Sequence, residues 1–284
     1  MTALLAVRDA VVTYPRTAAE GGPVTADDGV SFDLDAGGIV GLVGESGCGK
    51  SSLGRAILGL VPLAAGAIQW RGQRIDTLPR RSFRPLRREL QLVFQDPTAS
   101  LDPRMTIAES VAEPLRSLLP ELSAAGRVAR VESILDEVGL AGELTGRFPH
   151  QLSGGQLQRA GIARALAVDP AFLVCDEPVS ALDVSVQGQI VNLLARIRRE
   201  RGLACLFISH NLAVVTRLAE RILVMHRGRI VESGPRDEIL AAPRHPYTRM
   251  LLDSVPEVDP LSARRLIARH TEALDTASPP GLTP

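Results

Sequence analysis

Gly44-Glu45-Ser46-Gly47-Cys48-Gly49-Lys50-Ser51 has the spacing G-x-x-x-x-G-K-[ST] and stands where that spacing has a physical use. Before it, residues 38–43 read GIVGLV, a short apolar run that predicts a buried strand. After it, a helical pattern runs to Leu60. Glycines between a strand and a helix let the backbone wrap tightly, so that successive N–H groups and the helix N-terminus face an anion. The expected anion is a polyphosphate, cradled from Gly44 through Ser52. Lys50 would meet its β and γ oxygens, and Ser51 would offer a hydroxyl to Mg²⁺, which favours oxygen ligands. The alternative, a plain glycine turn, is disfavoured by the strand before it and the helix after it.

The rest of the composition makes Lys50 conspicuous, because it is the only lysine among 32 cationic residues. Those 32 are balanced by 32 acidic residues, so an overall basic surface for nucleic acid is not expected. With 284 residues, 45% hydrophobic and 23% charged, the chain can bury a sizeable core. Cys48, Cys175 and Cys205 lie far apart and form neither a disulfide framework nor a metal-binding pair, which fits a reducing compartment. The N-terminus does not read as a secretory signal. The longest largely apolar segment, 56–68, contains Pro62 and falls short of the roughly 20 residues that span a bilayer.

Outward from the loop, residues 5–14 and 30–34 alternate as strands around a Gly/Ala/Asp-rich connection, 16–28. Further short strands are expected at 90–94, 171–175, 205–208 and 222–225. Helices are expected at 106–119, 128–138, 153–168 and 184–199. Strands alternating with helices predict an α/β fold with a mainly parallel sheet covered on both faces. Residues 256–284 end in SPPGLTP and are expected to fray.

Two more sites carry chemistry. Asp176 and Glu177 follow the apolar strand 171–175, so both carboxylates should emerge at a strand's C-terminal edge, where open α/β sheets bind ligands. There Asp176 would hold Mg²⁺ through water and Glu177 would orient or deprotonate an attacking water. In Leu152-Ser153-Gly154-Gly155-Gln156, Ser153 and Gln156 make an S-x-x-Q capping box, and two bare glycines leave amides uncovered. That is a second anion seat, and one nucleotide bridging two copies would use both seats.

LSGGQ preceded by a phosphate loop resembles the ATP-binding cassette ATPases over about residues 5–256. The resemblance implies a P-loop NTPase (RecA-like) core with a mainly parallel sheet, an antiparallel β subdomain and a helical insert. Residues 1–254 would form the ATP-binding domain, with its core at 1–95 and 152–254 and the helical subdomain at about 97–151. Residues 255–284 would be a partly flexible extension. ATP and Mg²⁺ are the implied substrate and cofactor. By similarity, Tyr14 stacks on adenine, Gln95 contacts Mg²⁺ and water, Asp183 lies in the loop that crosses a dimer, and His210 contacts the γ-phosphate. Ser153, Gly154, Gly155 and Gln156 would serve the nucleotide of the opposite protomer.

QDPTASLDPRMT (95–106) and RHPYTRMLL (244–252) further resemble the oligopeptide, dipeptide and nickel importer branch. Asp102 stands where that branch usually has Asn, and Asn211 where an Asp usually follows the histidine. No cysteine follows Cys205, so an iron–sulfur or metal-sensing tail is not expected. The branch implies a peripheral ATPase at the cytoplasmic face of the cell membrane. It would be paired with a second ATPase subunit, identical or merely similar, and with two transmembrane permease subunits, and would serve a solute-binding protein indirectly. The competing readings are a soluble ATPase of a carbon–phosphorus lyase complex and a DNA-repair cassette. The latter would need a long coiled coil or zinc cysteines between Gly44 and Ser153, and neither is present.

Overall fold

The computed structural model describes residues 3–15 and 22–254. The chain opens with β1 (Leu5–Tyr14), β2 (Val24–Leu34) and β3 (Ile39–Val43), followed by α1 (Lys50–Ile57), β4 (Ala65–Trp70) and β5 (Gln73–Arg74). Strands β2-β1-β4-β5 make a four-stranded antiparallel sheet. The expected connection at 16–28 is shorter than its composition suggests. Val24 pairs with Tyr14 and Thr25 with Thr13, so cross-strand pairing carries β2 back through a stretch with poor strand propensity. The apolar segment 56–68 is likewise divided: α1 ends at Ile57 and β4 begins at Ala65.

Two short helices, α2 (Arg80–Phe83) and α3 (Leu86–Glu89), lead into β6 (Leu90–Val93). Then come α4 (Pro97–Ser100), α5 (Ile107–Leu118) and α6 (Ala124–Glu137). Thr106 and Glu109 close a capping box on α5. Helix α6 starts before the expected position because the Ser123 hydroxyl caps the amide of Gly126. The chain returns through α7 (Gly154–Leu166), β7 (Phe172–Asp176), α8 (Val184–Arg201), β8 (Ala204–Ser209), α9 (Leu212–Val215) and β9 (Arg221–His226). The described residues finish with β10 (Arg229–Pro235), α10 (Arg236–Ala241) and α11 (Pro246–Asp253), and the expected extension at 255–284 lies outside them.

The second sheet has the order β10-β9-β3-β8-β7-β6, with β10 antiparallel at the edge and the other five strands parallel. Strands β3, β7 and β8 are buried along their whole length, as apolar runs in a doubly covered sheet should be. Side chains alternate between the faces. Val40, Leu42, Phe172, Val174, Leu206 and Ile208 join α1 and the antiparallel sheet in one core. Ile39, Val43, Leu173, Cys175, Cys205 and Phe207 join the core shared with α5 through α9. Trp70 of the antiparallel sheet meets Phe172 of the parallel one at 5.9 Å between ring centroids, so α1 is wedged between two sheets.

One residue inside that wedge is out of keeping with it. Asp27 on β2 is fully buried, and neither carboxylate oxygen has a hydrogen-bond partner among the described residues. Burial pushes its carboxyl up to about 7. The folded chain therefore keeps a proton that the unfolded chain releases near pH 4, and stability falls as pH rises from about 4 to about 7, then levels off. Chemical denaturation across pH 4–8 should show a decline of a few kcal/mol for the wild type and a markedly flatter profile for Asp27→Asn.

Candidate active site

The parallel strands deliver their C-terminal ends to one edge, and four of the expected site segments leave from it: the phosphate loop after β3, Gln95 after β6, Glu177 after β7 and His210 after β8. The loop is close against its surroundings. A Cβ at Gly44 would lie 2.1 Å from the carbonyl oxygen of Met225. At Gly49, where φ is 115°, one would lie 2.4 Å from that of Ala26. Only glycine fits at either point. Gly49 then caps α1 without any side-chain bond, and no acidic residue occupies the first helical turn. The helix N-terminus thus keeps uncovered amides and a positive end for an anion.

Lys50 is 4% exposed. Its Nζ donates to the carbonyl oxygens of Gly44 at 2.8 Å and Glu45 at 2.7 Å, and lies 3.9 Å from Glu177 Oε1. Cys48 Sγ lies 3.8 Å from the same Nζ, and burial pushes its thiol up. Ser51 Oγ donates to Asp176 Oδ1 at 2.7 Å. Burial raises the Asp176 carboxyl, while the Ser51 hydroxyl and the charge of Arg55 oppose that rise. A hydroxyl and a carboxylate in contact beside a phosphate cradle are hard oxygen donors of the kind Mg²⁺ prefers, so these residues fit the implied ion.

Glu177 is the centre of the cleft. Its backbone is left-handed (φ 47°), an uncommon conformation for a residue with a Cβ, and its N–H donates to the carbonyl of Ile208 at 3.0 Å. That turn aims the carboxylate inward. Oε2 accepts from Gln95 Nε2 at 3.4 Å and lies 2.9 Å from His210 Nδ1. Gln95 thus touches Glu177, and no bond joins it to Ser51 or Asp176, the other two expected metal contacts. A carboxylate held by an amide and an imidazole, facing a buried ammonium, can take a proton from a water placed before it. Glu45, Ser46, Gln95, Glu177, Ser180, Ala181 and His210 line an open cleft of about 740 Å³.

Tyr14, at the end of β1, donates from its hydroxyl to Ser52 Oγ at 3.1 Å, which places it against the first turn of α1. Ser153 and Gln156 form the expected capping box at the start of α7, with Gln156 N donating to Ser153 Oγ at 3.3 Å and Ser153 N to Gln156 Oε1 at 2.9 Å. The glycines have a packing reason as well: a Cβ at Gly155 would sit 2.6 Å from Val186 Cγ1. Ser153, Gly154 and Asp183 are exposed and lie outside the cleft, and Asp183 makes no side-chain cap on α8. The sequence reading missed the far wall of the cleft, which is α11 with its C-cap: Met250, Leu251 and the capping Ser254 line it. Its stretch had served only as a branch marker, and no local signal announces a contact across 202 positions such as that between Glu45 and Tyr247.

Residues 28–180 match the family model described as ABC transporter. The chain belongs to the ABC transporter family. Residues 231–281 match a second model, described as the oligopeptide/dipeptide transporter C-terminal region. The oligopeptide transport ATP-binding protein OppF of Escherichia coli is 51% identical over 235 residues, 83% of this chain and 70% of that protein. The glutathione import ATP-binding protein GsiA of Escherichia coli is 51% identical over 267 residues, 92% of this chain but 42% of that longer protein. Among solved structures, a dimeric post-hydrolysis state of the ATP-binding cassette MJ0796 bound to ADP and Pi aligns with a TM-score of 0.74 and 28% identity. It covers 82% of this chain and 98% of that one. This ABC chain is an ATPase.

The clasp around the ammonium makes the ABC phosphate loop intolerant of a planar cation. Lys50→Arg should lower ATP turnover by about a hundredfold, because a guanidinium fork cannot take the place of a compact point charge between two carbonyls. Steady-state phosphate release by the purified variant measures it.

Proposed function

We propose that this chain powers the uptake of peptides or related small solutes through separate permease subunits, from the cytoplasmic face of the cell membrane. What carries the reading is one cleft with two walls. One wall holds Glu45, Gln95, Glu177 and His210, with the Lys50 ammonium buried 3.9 Å behind Glu177. The other is α11, part of the region matched by the oligopeptide/dipeptide model. The peptide and glutathione importers among the relatives favour this reading over a phosphonate-cleaving assembly.

In the proposed cycle Lys50 leaves the carbonyls of Gly44 and Glu45 for the β and γ oxygens of ATP, while Tyr14 packs on the adenine. Ser51 and Asp176 would hold Mg²⁺. The ion supplies charge neutralisation on the phosphates when bound. Glu177 takes the proton of the attacking water, oriented by Gln95 and His210, and His210 also meets the γ-phosphate. Ser153, Gly154, Gly155, Gln156 and Asp183 of a second protomer, identical or merely similar, close the other side of the nucleotide. The exposure of Ser153, Gly154 and Asp183 suits that task. No described helix is long and apolar enough to cross a membrane, so passage of the solute is assigned to partner chains.

The permease contact is proposed at the groove between β6 and the helices after it. This groove of about 520 Å³ is bordered by Arg84, Phe94, Pro97, Glu113 and Arg164. Phe94 is exposed there, next in the chain to Gln95, so a helix docked on the groove would be felt one residue from the cleft.

Reconstitution with the permease pair and its binding protein in vesicles is the direct test. ATP-dependent accumulation of a labelled di- to pentapeptide is expected, and accumulation of none of these peptides despite ATP turnover would refute the importer reading. In the same vesicles Glu177→Gln should retain ATP binding and slow hydrolysis by about a thousandfold, because the general base is lost while the phosphate contacts persist.

A further inference from the structure

The peptide unit joining Gly44 to Glu45 is held at both of its polar ends. Its carbonyl, that of Gly44, accepts from Lys50 Nζ at 2.8 Å; its N–H, that of Glu45, donates to the hydroxyl oxygen of Tyr247 at 2.9 Å. Tyr247 belongs to α11 and not to any segment of the phosphate loop. It is 6% exposed, and burial raises its phenol, so it stays a neutral hydroxyl.

The tyrosine is fixed from several sides. Its ring lies against that of His226 at 4.1 Å between centroids, and His226 follows Met225, whose carbonyl approaches Gly44. Its own N–H donates to His245 Nδ1 at 3.2 Å, which caps α11, and Pro246 occupies the first helical turn. The cap is tied in turn to β10, because the Glu232 carboxylate accepts from the N–H groups of Arg244 at 2.8 Å and His245 at 3.0 Å. A continuous series of bonds thus runs from the edge strand of the parallel sheet, through the start of α11, to the first peptide of the phosphate loop.

We propose that Tyr247 is a positioning residue for ATP binding: its hydroxyl holds the Gly44–Glu45 peptide in place while Lys50 transfers from the loop carbonyls to a phosphate. The inference rests on the ATPase reading of the phosphate loop. Lys50 is shared between two tasks, holding the Gly44 and Glu45 carbonyls in the structure described here and holding phosphate in the complex. Once the ammonium leaves, the Tyr247 bond is the remaining side-chain tie on that peptide unit among the described residues, and without it the peptide is free to turn over. The pin therefore matters more with nucleotide bound than without, which makes it a determinant of affinity.

Tyr247→Phe in the full-length chain removes the hydroxyl and keeps the ring on His226. Steady-state ATP hydrolysis should show KM for ATP raised about fivefold, the worth of one buried hydrogen bond, with kcat within about twofold of wild type. Hydrogen exchange on the nucleotide-free protein should show faster exchange of the Glu45 amide and unchanged exchange in β7 and β8. An unchanged KM together with an unchanged Glu45 exchange rate overturns the proposal. So does a fall in kcat and melting temperature at constant KM, which marks a purely structural role. The exchange measurement needs no nucleotide, so it judges the pin separately from the ATPase reading, which fails only where the wild-type chain itself neither binds nor hydrolyses ATP.

Discussion

One ammonium group, Lys50 Nζ, sits out of water between two backbone carbonyls and opposite a carboxylate, and the architecture around it follows from the need to keep it there. An isolated buried cation would cost several kcal/mol in lost hydration. The carbonyls of Gly44 and Glu45 and the nearby Glu177 replace that hydration with fixed oxygen atoms. To present those oxygens the loop bends back over its own lysine, and it does so pressed against the carbonyls of Met225 and Ala26, which leave Gly44 and Gly49 no room for a Cβ. To present the carboxylate, Glu177 accepts a left-handed backbone.

The fold's contribution is convergence. Strands β3, β6, β7 and β8 are parallel and adjacent or nearly so, and their ends place Lys50, Gln95, Glu177 and His210 around one volume although these residues span 160 positions of sequence. His210 and Gln95 both meet the same carboxylate oxygen, Oε2 of Glu177, while Oε1 faces the ammonium. The carboxylate thus has one side for holding and one for the reacting groups, an asymmetry that its two oxygens make possible.

Much of this was legible in the sequence, for reasons that can be named. Strands β3 and β7 are runs of apolar residues because both faces of their sheet are covered, and such runs need no partner to be seen. The phosphate loop was legible because its chemistry is local, eight residues long and flanked by a strand and a helix. Strands β4, β5 and β10 were not. They are short or half-exposed, each contains Gly or Arg, and they owe their conformation to pairing with β1, β4 and β9. The beginning of β2 was hidden for the same reason. In the site, the pair Ser51–Asp176 was foreseeable from motif order, whereas the wall formed by α11 was not, since nothing near Glu45 in the chain points toward residue 247. The glycines before Gln156 had been read through uncovered amides alone; Val186 gives Gly155 a steric reason that periodicity cannot reveal.

Helix α1 lies between two sheets, with Leu53 and Ile57 in the same core as Phe32, Trp70 and Phe172. A helix gripped from above and below cannot slide without disturbing both layers, and interiors packed this densely resist small displacements. The phosphate-bearing end of the molecule is thereby an anvil: whatever strikes it must travel. The travelling part has to come from segments outside that vise, and the length of chain between β6 and α7 is outside it: α5 and α6 pack into the core on the other face of the parallel sheet, away from α1.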